Sequence, residues 1–334
     1  MTDAGINGLC LSVIDDRGMK DERVALCKAI RKLDIRHTKV TNDGMVIAFE
    51  NLPDLKELLS SLPIQVLAEL SVRFPQYSLT LLECCLNYCY YEIGSLRLAA
   101  FLCSSKINKV KIELQQGITN VELLGLLQLK NLCELSIDGT DDGGEESLTF
   151  DGGVAPLLMA FGSKSLTSLK LKNLEMKIDI GVIFETCPLL STLSLKNINL
   201  KQPERFGIRR ILPKLKFLCL RGDDEYDPFP SYYLTSLLSS PDLCEVDINY
   251  VRALTDQVLF DAASHNQFSK LQLLKIALAD SDTVTKKGID LFLKNTNILK
   301  KIILRECDSI KQKDVVEWKS LIITNNWQLV LEIV

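Results

Sequence analysis

The sequence predicts an α/β solenoid: a stack of strand–loop–helix units with a parallel β-sheet on the concave side and helices on the convex side. Three observations predict it. An apolar frame at i, i+3 and i+5 returns along the whole chain. Its successive starts lie about 24–28 residues apart, with one wider gap. Helical patterns fill the intervals between frames.

The segment LCELSIDGT at 132–140 sets the frame. It recurs at Ile6/Leu9/Leu11, Ile30/Leu33/Ile35, Leu79/Leu82/Cys84, Ile107/Val110/Ile112 and Leu132/Leu135/Ile137. It continues at Leu166/Leu169/Leu171, Leu190/Leu193/Leu195, Leu215/Leu218/Leu220, Leu243/Val246/Ile248, Leu271/Leu274/Ile276 and Leu299/Ile302/Leu304. The copy at Leu55/Leu58 is degraded by Ser60, and a partial copy lies at Leu329/Leu331. Residues i+3 and i+5 of a strand share one face, so each frame reads as a short half-buried strand. Between frames, DERVALCKAIRKL (21–33), DGMVIAFENL (43–52), SLRLAAFL (95–102), GVAPLLMAF (153–161) and DVVEWKSLII (314–323) read as convex helices. Many follow Asn, Asp or Ser, which accept hydrogen bonds from the unpaired N–H groups of a helix start. The expectation is a single domain over 1–334 with about 12 repeats. Each unit buries its apolar face only against its neighbours, so such an array need not split as it lengthens.

Composition narrows the function classes. The 334 residues are 47% hydrophobic and 25% charged, with a formal net charge of −4 and a pI near 5.5. That balance gives no support to nucleic-acid binding, which shows as an excess of Lys and Arg. No secretory leader, N-glycosylation acceptor or long apolar span is evident in the sequence, so no membrane association is expected. The 11 cysteines are scattered, several where Leu or Ile would fit. They read as reduced, buried small hydrophobes in a cytoplasmic or nuclear protein. Cys84, Cys85, Cys89 and Cys103 lack the paired spacing of a structural zinc site. Only His37 and His265 supply imidazoles, and no nucleophile, phosphate-binding or metalloprotease motif accompanies them. The reading is a chain without catalytic residues, cofactor or metal.

Two phrases carry a family resemblance. CPLLSTLSL at 187–195 has the pattern C-P-x-L-x-x-L-x-L, and TNDG at 41–44 follows a strand. Together with the repeat length they resemble the ribonuclease-inhibitor-like class of leucine-rich repeats. Within it the chain is similar to F-box/leucine-rich-repeat substrate receptors of cullin–RING ubiquitin ligases. The resemblance implies a non-catalytic recognition arm whose partners are a ligase adaptor and protein substrates. SLPIQVLAEL at 61–70 resembles the opening of an F-box, but the repeat starting at Leu55 needs its convex helix there, so the F-box module is not found. No polar capping segment precedes the first frame. The expectation is a shortened chain, ahead of a first edge covered by another protein. A monomer is expected, and a regulator of another enzyme, such as an inhibitor or a GTPase activator acting through Arg221, is the alternative function, with a structural spacer third.

Candidate binding residues follow from the strand geometry, because side chains between the buried positions point to the concave face. Lys170, Lys172, Lys196 and Arg221 form a basic stripe, with Glu134 and Asp138 on one side and Glu245 and Asp247 on the other. A second candidate is the inserted aromatic and acidic loop 223–233, with Tyr226, Phe229, Tyr232 and Tyr233 as exposed anchors. The acidic, Gly-rich insertion 138–153 accounts for the widest gap between frames. It lacks the terminal Glu of a calcium loop and reads as a solvated loop.

Overall fold

The computed structural model describes residues 1–10, 29–63, 69–70, 72–75, 79–86, 106–114, 119–139, 148–202, 211–222, 229–278, 283–293 and 298–334. These fall into two compact units, Met1–Phe161 and Gly162–Val334.

The first unit holds strands β1 (Lys32–Asp34), β2 (Glu57–Pro63), β3 (Leu81–Leu86), β4 (Lys109–Leu114) and β5 (Glu134–Asp138). Its helices include α1 (Asp3–Cys10), α2 (Asn42–Asn51), α3 (Asn120–Leu124) and α4 (Ala155–Phe161). The second unit holds β6 (Ser168–Ile178), β7 (Thr192–Leu200), β8 (Phe217–Arg221), β9 (Glu245–Asn249), β10 (Leu273–Ala277), β11 (Lys301–Arg305) and β12 (Val330–Ile333). Its helices include α5 (Ile180–Thr186), α6 (Ser231–Leu238), α7 (Asp256–Asn266), α8 (Lys286–Leu293) and α9 (Gln312–Thr324). Within each unit every strand pairs in parallel with the next one along the chain.

The register converts the sequence frame into ladders. In the second unit Leu169, Leu193, Leu218, Val246, Leu274, Ile302 and Leu331 stand opposite one another in turn. Leu171, Leu195, Leu220, Ile248, Ile276 and Leu304 form a second ladder two residues on, and these six are all buried. Position i, just before each strand, forms a third buried line, including Leu166, Leu190, Leu215 and Leu243. Apolar surface is thereby removed from water chiefly on one side of the sheet, with Ala277 and Ile303 buried at alternate positions as well. Position i+1 contributes through its backbone: the Ser191 carbonyl accepts hydrogen bonds from both Lys216 N and Phe217 N, and the Lys216 carbonyl does the same for Cys244 N and Glu245 N.

Helix starts are tied from one repeat to the next by a recurring device. Asp3, at the start of α1, accepts hydrogen bonds from the backbone N–H (2.7 Å) and hydroxyl (2.6 Å) of Thr41, the residue before α2. Asn120 accepts from Thr149 N (2.9 Å) and donates to its hydroxyl (3.1 Å). Asp256 accepts from Thr285 N (2.8 Å), the Thr285 hydroxyl (2.6 Å) and Gly288 N (3.1 Å). The glycine in each Thr-x-x-Gly run makes room for this side chain. A Cβ at Gly44, Gly152 or Gly288 would run into Asp3, Asn120 or Asp256 respectively. The TNDG phrase at 41–44 therefore has a mechanical reason: Thr41 receives the preceding acid and Gly44 lets it approach.

Three sequence expectations are corrected. The frame at Ile6/Leu9/Leu11 is not a strand: residues 3–10 are helix α1, with Ile6 and Cys10 buried at helical spacing i, i+4. The degraded frame at Leu55 does form a strand, β2, which includes Ser61–Pro63 of the F-box-like phrase; residues 64–68 lie outside the described residues. The insertion 138–153 is not a loop throughout. Residues 140–147 lie outside the described residues, but Phe150–Val154 form a π-helical turn leading into α4, with Phe150 buried. The helical expectation over 95–102 also lies outside the described residues, as does 21–28 of the helix expected over 21–33.

Candidate protein-interaction surface

The outward positions of the second unit form three registered rows. One runs Ser168, Thr192, Phe217, Glu245, Leu273, Lys301 and Val330. The next runs Lys170, Ser194, Cys219, Asp247, Lys275, Ile303 and Glu332. The third runs Lys172, Lys196, Arg221, Asn249, Ala277 and Arg305. Lys172, Lys196 and Arg221 are thus direct neighbours on adjacent strands, ~4.8 Å apart along the sheet. Lys170 belongs to a different row, opposite Ser194, so the four expected cations form a row of three with one beside it.

The position after the third row has its own backbone signature, inside β6 and β7 and just past the strand elsewhere. It is left-handed at Asn173 (φ 51), Asn197 (φ 48), Tyr250 (φ 56) and Glu306 (φ 51), and His37 (φ 56) occupies the same place in the first unit. Asparagine adopts this conformation at less cost than most residues. Asn197 Nδ2 also donates to Asn173 Oδ1 at 3.0 Å, joining β7 to β6. Gly222 fills the equivalent place after Arg221, where any Cβ would strike the Tyr250 carbonyl. Tyr250 in turn lies beneath the Arg221 guanidinium, 5.5 Å from its ring centre, a cation–π contact that steadies the side chain.

Two of the four expected acidic residues, Glu134 and Asp247, pair with lysines on adjacent strands. Glu134 pairs with Lys109 on the adjacent strand at 2.7 Å, and its carboxylate, accepting that hydrogen bond, raises the pKa of the ammonium. Asp247 lies 3.6 Å from Lys275 and accepts from Asn249 Nδ2 at 2.6 Å. Glu245 is exposed beside Phe217 in the first row, and Asp138 stands opposite Glu113 on β4.

The aromatic segment is corrected. Tyr226 lies outside the described residues. Phe229 and Tyr233 are only 1% and 4% exposed, so they are packing residues and not exposed anchors. Tyr233 packs against Phe184 with ring centres 6.3 Å apart, and burial pushes its phenol pKa up. Tyr232, half-buried, leans on Tyr233 at 5.5 Å. Part of the signal was present in the sequence: 233, 234, 237 and 238 trace the inner stripe of a helix, which the structure realises as α6, while Phe229 is buried just before its start.

Among the described residues no cluster of three or more His, Cys, Asp or Glu is placed to hold a metal. No helix among them is long and apolar enough to cross a membrane.

No family model matches the chain, and no curated protein matches it by sequence. Among solved structures, it is similar to a chain in the crystal structure of the Rad7 and Elc1 complex in yeast. The TM-score is 0.56 at 16% identity, covering 94% of this chain and 86% of that one. This likeness and the registered frames together show the fold to be an α/β leucine-rich-repeat solenoid.

Proposed function

We propose that the chain is a non-catalytic protein-binding scaffold that serves as a substrate-recognition arm of a ubiquitin ligase complex. The observation that carries this reading is the set of registered outward rows, above all Lys172–Lys196–Arg221. They present fixed charges on a preformed sheet, and a preformed surface loses little conformational freedom on binding. The resemblance of CPLLSTLSL and TNDG to F-box/leucine-rich-repeat receptors supports the ligase assignment. So does a fold shared with a chain of a two-protein complex, that of Rad7 and Elc1. On this reading the chain acts as a monomer in a reducing cytoplasmic or nuclear compartment. It binds an adaptor and protein substrates, and neither nucleic acid nor membrane.

The test is affinity purification of the tagged chain from its own cells, with the bound proteins identified by mass spectrometry. A ligase adaptor recovered together with further proteins is the expected result. A single GTPase or nuclease as sole partner, with no ligase component, would replace this reading with that of an enzyme regulator.

A further inference from the structure

In the first outward row of the second unit an acid stands between two apolar residues. Phe217 on β8, Glu245 on β9 and Leu273 on β10 lie opposite one another in turn, on strands ~4.8 Å apart. Phe217 is 41% exposed, Glu245 is exposed and Leu273 is half-buried. Among the described residues the Glu245 carboxylate has no ion-pair or hydrogen-bond partner. The lysines on the neighbouring strands serve other acids: Lys275 lies 3.6 Å from Asp247, and Lys301 lies 2.7 Å from Glu332. We propose that Phe217, Glu245 and Leu273 form the seat for an arginine side chain of a partner protein, with its guanidinium over the Phe217 ring and hydrogen-bonded to the Glu245 carboxylate. The proposal rests on the scaffold reading above and names the chemistry of what this part of the face binds.

The chemistry of the three side chains selects arginine. A guanidinium is planar, stacks on an aromatic face and donates two parallel hydrogen bonds to a carboxylate. The chain makes the first of these contacts with its own residues, the Arg221 guanidinium lying 5.5 Å from the Tyr250 ring centre. A lysine ammonium is a compact, strongly hydrated charge and gives up more hydration against an apolar ring. Phe217 and Leu273 offer the methylene stem of an arginine an apolar bed, and they keep water from the flanks of Glu245, which strengthens an ion pair there. A purely apolar anchor would instead cover Glu245 and leave its charge unpaired. A nucleic acid would bring phosphates against an unpaired carboxylate on a chain of net charge −4. Strand register fixes the backbone under all three side chains, so the seat exists before a partner arrives.

The experiment measures fluorescence anisotropy of three labelled peptides against the purified full chain: Gly-Ser-Arg repeated three times, and its counterparts with Lys or Leu in place of Arg. The variants are Phe217→Ala, Glu245→Gln and a control with the same charge change as the second, Glu175→Gln, at an exposed acid near the far end of β6. Thermal unfolding checks that all three are folded. The expected result is arginine-peptide binding that weakens roughly fivefold or more in Phe217→Ala and in Glu245→Gln and less than about twofold in the control, with the lysine and leucine peptides binding more weakly to the wild-type chain. No binding of the arginine peptide, no weakening in either seat variant, equal weakening in the control, or a lysine or leucine peptide that binds as tightly would overturn the proposal. Repeating the affinity purification with Phe217→Ala/Glu245→Gln separates the two readings. Partners retained in full mean a scaffold that does not use this seat, and no partners from the wild-type chain mean that the scaffold reading itself is wrong.

Discussion

The two units repeat the same strand but finish it differently. In the second unit the inner ladder from Leu171 to Leu304 is hydrocarbon at each of its six rungs. In the first, the corresponding ladder is interrupted at Ser60, which is buried with no hydrogen-bond partner for its hydroxyl. The outer faces contrast more strongly. The first unit sets opposite charges across adjacent strands, Lys32 with Glu57 at 3.4 Å and Lys109 with Glu134 at 2.7 Å. Its third outward row places Glu113 opposite Asp138, whereas the same row in the second unit carries Lys172, Lys196 and Arg221. Packing constrains the inner positions of a parallel repeat to apolar residues of similar size. The outer positions are left to carry whatever charge the surface requires.

If the interiors are equivalent, truncating either should cost the same. Leu195→Ala and Leu135→Ala, at fully buried rungs of the two units, should each destabilise by about 3 kcal/mol in urea unfolding. A several-fold difference would break the equivalence. The capping relay offers a smaller contrast. Asp256→Ala removes acceptors from two backbone N–H groups and one hydroxyl and should cost about 2 kcal/mol, whereas Asn120→Ala, a neutral amide with two hydrogen bonds, should cost about 1 kcal/mol. Ser60→Ala should be neutral or stabilise by up to about 1 kcal/mol, since it removes a buried hydroxyl that has no partner. A clear loss of stability would mean that the serine has a role its surroundings do not show.

The smallest effect is a titration. The Arg36 guanidinium donates to both oxygens of Asp34, at 3.0 and 2.7 Å, and holds its carboxyl at a pKa of about 2 against the usual 3.8. A depressed folded-state pKa means that the stabilisation is complete above the unfolded value, declines as pH falls below about 4 and is gone below about 2. Carboxyl carbon NMR should find the Asp34 midpoint near 2, and Arg36→Ala should return it towards 3.8.

Most of this architecture was legible because a solenoid writes its fold at short range. Each frame from Ile30 onward became a strand in the expected place, and the outward positions followed from strand alternation alone. The misreadings came where two periods coincide. Ile6 and Leu9 satisfy the strand frame, yet Ile6 and Cys10 satisfy a helix as well. The Thr2 hydroxyl accepts from Gly5 N as Thr255 does from Val258 N, a capping signal that favours the helix. The loop reading of 223–233 makes its aromatics exposed anchors, whereas Tyr233 sits on the inner face of α6 and Phe229 is buried just before that helix. The tie from Asp3 to Thr41 was not legible, because it joins residues 38 positions apart. The pairing of charges across strands was likewise set by register and not by local pattern.

The capping relay gives the stack a direction. At Thr41, Thr149 and Thr285 the side chain that satisfies the helix start belongs to the repeat before it, so these repeats inherit part of their order from a predecessor. Damage at Asp256 should therefore surface downstream. Amide exchange should quicken at Thr285 and Gly288, whose N–H groups lose their acceptor, before it quickens in the helix that carried the mutation. A scaffold wired this way couples neighbouring repeats through their helix starts as well as through the sheet, so disorder at one start is felt in the repeat it is tied to.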